Sequence, residues 1–114
     1  PEVKGKLDGM ALRVPTPDGS MSVLSVQVEK ATTAEEVNAK VKAATEGKLK
    51  GIIKYNDEEI VSSDIIGTTY AGIYDATLTK VMNGTFVTVY SWNDNEYGYT
   101  CRVVDTIEKV ATML

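Results

Sequence analysis

The chain has 114 residues, 43% hydrophobic and 25% charged, which suits one globular domain with one core and leaves little room for a second. Twelve basic against sixteen acidic residues give a net charge of −4 with no Lys/Arg cluster, so a nucleic-acid surface is disfavoured. No apolar run approaches the ~20 residues a bilayer span requires, and no signal peptide opens the chain, so no membrane partner is expected.

In chain order, 9–15 (GMALRVP) alternates, with Met10, Leu12 and Val14 on one side and Arg13 on the other, and predicts a strand. The stretch TPDGS (16–20) is turn chemistry, and Leu24, Val26 and Val28 at spacing two predict a second strand antiparallel to the first. Thr33 followed by Glu36 signals a helix start, Ala34, Val37, Val41 and Ala44 share a face, and Gly47 marks the end. A further extended stretch lies in 50–55, and the acidic run 57–59 reads as an exposed turn. A strand is predicted over 76–82, and Asn83-Gly84 signals a hairpin into 85–92. Both faces of 85–92 carry apolar residues, predicting a central strand covered twice. From about 97, Val103, Ile107, Val110 and Leu114 recur at helical spacing and form a stripe that needs a partner surface. The fold class is α+β: a largely antiparallel mixed sheet with helices packed on it and a helix at the C-terminus.

The halves differ in charge: 1–57 carry nine basic and eight acidic residues, 58–114 three and eight, a difference that fits a solvated face. Cys101 is the single cysteine and there is no histidine, so no internal disulfide forms and a reducing, cytoplasmic setting is expected. Without a base to generate its thiolate, Cys101 reads as a small half-buried side chain, not a nucleophile. The same composition argues against zinc, the 57–59 run lacks a calcium loop's ligand spacing, and no glycine-rich phosphate loop is present; no metal ligand is expected. Arg13, on a rigid strand, suits a bidentate phosphate contact or an ordinary solvated edge. Asn93, Asp94, Asn95, Glu96, Tyr97 and Tyr99 crowd one strand-to-helix junction, where a side-chain amide suits either recognition of another amide or a helix cap.

The blocks GKLDGMALRVPTP, VSSD, SWNDNEYGYT and RVVD, in this order and at these intervals, resemble the C-terminal part of the glyceraldehyde-3-phosphate dehydrogenase catalytic domain, across 1–114. The family oxidises and phosphorylates a triose-phosphate aldehyde: a cysteine thiolate adds to the aldehyde, a hydride passes to NAD, and inorganic phosphate cleaves the thioester. The resemblance implies that Arg13 holds phosphate groups of glyceraldehyde 3-phosphate and inorganic phosphate. It implies that Asn95 bonds the nicotinamide carboxamide and that Tyr99 packs beside the nicotinamide. NAD or NADP would be held mainly by a nucleotide domain that, with the catalytic cysteine and histidine, lies outside this stretch. The chain, starting at Pro1, then reads as a piece of a longer, homotetrameric glycolytic enzyme, inactive alone, with its sheet surface and last helix awaiting partners. Asn93 departs from the tyrosine usual in the family. A relative acting on erythrose 4-phosphate shares the pattern, and a non-catalytic association module is the alternative of a different class.

Overall fold

Strand β5 (Phe86–Asn93) organises the sheet, and the structure, a computed structural model, describes all of residues 1–114. Its eight residues are rich in β-branched and aromatic side chains, which favour extended backbone. Along one edge it pairs antiparallel with all of β1 (Ser20–Gln27), from Ser20↔Asn93 to Gln27↔Phe86. Along the other edge it meets two short strands in succession. β4 (Lys80–Met82) pairs antiparallel with its beginning, and β3 (Gly72–Asp75) with its end at Ile73↔Trp92 and Tyr74↔Ser91. β2 (Ile53–Asn56) lies parallel to β3 and completes the order β1-β5-β3-β2. The sheet is mixed and largely antiparallel, and with two helices the chain is α+β.

Helix α1 (Ala34–Glu46) begins at Thr33, whose hydroxyl accepts from the Glu36 N–H at 3.3 Å, and ends at Gly47. The signalled boundaries hold because capping groups satisfy backbone donors that a helix start leaves unpaired. The face carrying Ala34, Val37, Val41 and Ala44 is half-buried and turned to the sheet, with α1 lying against β2. Polar links pin it there. The Tyr74 hydroxyl donates to Asn38 Oδ1 at 2.8 Å, and Asn38 Nδ2 donates to the Ala76 carbonyl at 3.1 Å. The hairpin at Asn83-Gly84 also forms as read. Both residues have positive φ (52° and 70°), and Thr85 N–H closes the turn on the Met82 carbonyl at 3.3 Å.

Four expectations are corrected. Residues 9–15 form no strand. The 16–20 turn does not close a hairpin; it is tied to the far end of β5, where Gly19 N–H donates to Asn95 Oδ1 at 2.9 Å. The segment before it pairs with no strand, and Met10, Leu12, Arg13 and Val14 are exposed. The strand expected over 76–82 is divided. Asp75 Oδ1 accepts from the Thr77 N–H and hydroxyl at 3.1 and 2.6 Å and draws the backbone into a 3₁₀ turn (Ala76–Leu78) between β3 and β4. β5 is central in its sheet but not covered on both faces: Val87 is its one buried apolar residue, and Val23, Leu24 and Phe86 on the same sheet are exposed.

The accessible surface is 8664 Å², against roughly 6100 Å² for a compact monomer of this length. The excess lies in the N-terminal segment and in α2 (Tyr97–Ala111), whose Val103, Ile107, Val110 and following Leu114 face solvent. Neither helix is long and apolar enough to cross a membrane. The small core centres instead on Ile65, at the end of a 3₁₀ turn (Ser62–Ile65), with Ile73, Tyr74 and Val87. Truncating Ile65, which has no exposed surface, to alanine should cost about 3 kcal/mol in urea unfolding, whereas Met10→Ala should stay within about 0.5 kcal/mol. Equal effects would contradict this placement of the core.

Candidate functional site at the β5–α2 junction

The site forms where β5 stops. At its last pair the Ser20 hydroxyl donates to Asn93 Oδ1 at 2.7 Å, so Asn93 ties the two strand ends together. The next residue, Asp94, turns inward and is 1% exposed. Its Oδ1 accepts from the backbone N–H groups of Glu96 (2.9 Å) and Tyr97 (2.8 Å). These are donors that the start of a helix leaves unpaired, so Asp94 caps α2. Its Oδ2 accepts from the Gly67 N–H at 2.8 Å, reaching the loop after the Ser62–Ile65 turn.

Because Asp94 caps the helix, Asn95 is free for other work. Its Oδ1 accepts from Gly19 N–H, leaving the amide NH₂ as its unspent donor. Gly19 is in the left-handed region (φ 96°), and a Cβ there would stand 3.2 Å from Ile65 Cδ1, so both its backbone and its neighbours favour glycine. The first turn of α2 lies close on the 68–70 loop. A Cβ at Gly98 would come 2.7 Å from the Tyr70 carbonyl oxygen, and Arg102 Nη2 donates to the Thr69 carbonyl at 3.1 Å.

Between these walls opens a cleft of about 500 Å³, lined by Asp18, Ile66, Gly67, Asn95, Tyr97 and Tyr99, among others. Tyr99 is 66% exposed, an aromatic face on the same cleft as the Asn95 amide. Of the three residues singled out from the sequence, the structure brings Asn95 and Tyr99 to one cleft. Arg13 does not line it and lies on the unpaired N-terminal segment with no hydrogen bond or ion pair. Cys101 is half-buried in the first turns of α2, as its structural reading requires. Gly67 and Gly19 carry no site role in the sequence reading, and Asp94 stands there only as one of the crowded junction residues. Asp94 carried a usable signal, a carboxylate in capping position ahead of a helix; the partnership with Gly67, 27 residues away in the chain, carried none.

Comparison with known proteins decides the family. Residues 1–95 match the family model described as glyceraldehyde 3-phosphate dehydrogenase, C-terminal domain. The chain belongs to that family. It is 71% identical over 95 residues to the glyceraldehyde-3-phosphate dehydrogenase of Thermotoga maritima, covering 83% of this chain and 28% of the relative. It is 56% identical over 111 residues to glyceraldehyde-3-phosphate dehydrogenase 2 of Trichormus variabilis, covering 97% and 33%. The corresponding enzyme of Geobacillus stearothermophilus is 53% identical over 112 residues, covering 98% and 33%. The chain thus spans about a third of the length of the curated relatives it matches. The family's C-terminal domain therefore includes the β5 end and Asn95, while the longer matches continue through most of α2.

The charge state of Asp94 follows from its hydrogen bonds. Burial pushes its carboxyl up, but hydrogen bonds from Gly67, Tyr97 and Glu96, with a smaller contribution from the Asp18 side chain, more than offset this and hold it below the usual 3.8. A carboxyl depressed on folding adds stability that is fully present above its unfolded value and is lost as pH falls through its folded one. Acid unfolding should therefore gain a component below about pH 4 that disappears in Asp94→Asn, measured as unfolding midpoints across pH 2–6. An unchanged pH profile in the variant would contradict this assignment.

Proposed function

We propose that this chain is the C-terminal part of the catalytic domain of a phosphorylating, NAD(P)-dependent glyceraldehyde-3-phosphate dehydrogenase, contributing to a site completed by the rest of a longer polypeptide. The carrying observation is the pose of Asn95. Its Oδ1 accepts from the Gly19 N–H, which it shares with Asp18 Oδ1, so its NH₂ remains to donate to the carbonyl oxygen of a carboxamide. Tyr99, exposed in the same cleft, offers an aromatic face for a flat ring.

An amide donor and an aromatic face on one cleft suit the nicotinamide end of the cofactor. No glycine-rich loop of the phosphate-binding type stands in the sequence, so the phosphates would be held elsewhere. When bound, the cofactor supplies the hydride acceptor. Asn95 would then orient the carboxamide and so select the ring face presented to the substrate, with Tyr99 limiting the ring's tilt. Arg13 carries the second role, a bidentate contact to the phosphate of glyceraldehyde 3-phosphate or to the attacking inorganic phosphate. Its segment is unpaired here, and the role requires that the segment dock in the complete enzyme. A cytoplasmic homotetramer is the setting this reading entails.

In the full-length enzyme, Asn95→Asp keeps an acceptor for Gly19 but removes the donor, and should weaken NAD binding by about tenfold in titration calorimetry. Arg13→Ala should raise KM for glyceraldehyde 3-phosphate or phosphate by about ten- to a hundredfold with NAD affinity unchanged. Normal NAD affinity in the first variant, or normal KM values in the second, would remove that residue from the site.

A second reading, an association module, has the exposed apolar face of α2 and the 8664 Å² of accessible surface in its favour. For 1–114 alone the expectation is no NAD reduction together with concentration-dependent self-association in analytical ultracentrifugation. Turnover by the isolated chain would overturn the first half, and a monomer at all concentrations the second.

A further inference from the structure

Asp94 is a carboxylate at 1% exposure with no cation paired to it, a costly placement unless hydrogen bonds repay the lost solvation. A helix cap does not by itself demand this, since one oxygen of a serine or threonine at the surface does the same work. What separates Asp94 from a plain cap is the second oxygen. Oδ1 holds the N–H groups of Glu96 and Tyr97 on one wall of the cleft, while Oδ2 holds the Gly67 N–H on the other. Asn95 sits between the carboxylate that accepts these bonds and the two residues whose N–H groups donate them. Its backbone is thereby bracketed on both sides, and its side chain is held at its own oxygen by Gly19.

We infer that Asp94 is the positioning residue of Asn95: it locks the backbone from which the Asn95 amide reaches into the cleft, and it sets the spacing between the 66–67 wall and the start of α2. This rests on the reading of Asn95 as the carboxamide contact. The ligand concerned is the amide-bearing end of a nicotinamide cofactor, and Asp94 acts on it only through Asn95.

The test is a double-mutant cycle in the full-length dehydrogenase. Asp94→Asn keeps an oxygen for the Glu96 and Tyr97 donors but sets an NH₂ against the Gly67 N–H, which separates the tether from the cap. Asp94→Ser, which also retains one capping oxygen and loses the tether, takes its place if Asp94→Asn does not fold. The dissociation constant for NAD, read by titration calorimetry, should rise by about ten- to a hundredfold with KM for glyceraldehyde 3-phosphate unchanged. The same change made on an Asn95→Ala background should add little. An equal further loss on that background, or a parallel rise in KM for the triose phosphate, overturns the inference and makes Asp94 a general structural residue. If Asn95→Ala alone leaves NAD affinity intact, the reading of Asn95 falls, and the positioning role falls with it; that outcome is distinguishable because it appears in the single variant.

Discussion

Three backbone N–H groups converge on the carboxylate of Asp94, and the site depends on that convergence. They come from the loop at Gly67 and from the first residues leading into α2, so one buried side chain joins a sheet strand, a loop and a helix. Charge-assisted hydrogen bonds of this kind are roughly twice as strong as neutral ones, which suits a contact that must hold segments distant in sequence. Remove that junction and α2 has few anchors left: the close approach of Gly98 to the 68–70 backbone and the Arg102 bond to Thr69. Almost nothing else in the chain covers the helix.

A second set of buried polar bonds steadies the sheet from which Asp94 hangs. Trp92 Nε1 donates to Asp75 Oδ2 at 2.9 Å, linking β5 to the end of β3 beside the main-chain ladder. Tyr74 reaches Asn38 and Thr79 through its hydroxyl and stacks on Tyr55 at 5.9 Å between ring centres, while Lys42 lies 5.3 Å over the Tyr55 ring. Burial pushes the Tyr74 phenol up, so it stays a neutral hydrogen-bonding group throughout the ordinary pH range. With four buried apolar core residues, the chain relies on such polar fixings more than a larger domain would.

The uncovered surfaces are consistent with the span of the chain. A stretch matching a third of its relatives' length carries apolar faces on the N-terminal segment, the sheet and α2 that its own residues do not bury. Alternation at Met10, Leu12 and Val14 shows how this misleads a reading from sequence. The pattern is a genuine strand pattern, yet a strand exists only where another backbone edge accepts its hydrogen bonds, and none does here.

What the sequence by itself determined is local. The Thr33 cap and the Gly47 stop, the Asn83-Gly84 turn, the extended run into Trp92 and the apolar stripe of α2 are all set within a few residues, by backbone preference and side-chain periodicity. Recognisable motifs also placed Asn95 and Tyr99 at a shared corner. Tertiary structure decided the rest, because it depends on partners far apart in the chain. It assigned the cap to Asp94 and released Asn95, since only folding brings Gly67 and Gly19 to that corner. It broke the 76–82 strand at Asp75, whose carboxylate lies under Trp92. It left 9–15 unpaired, because no strand edge of the fold accepts that segment, and a pattern of side chains holds no information about which distant N–H will meet which oxygen.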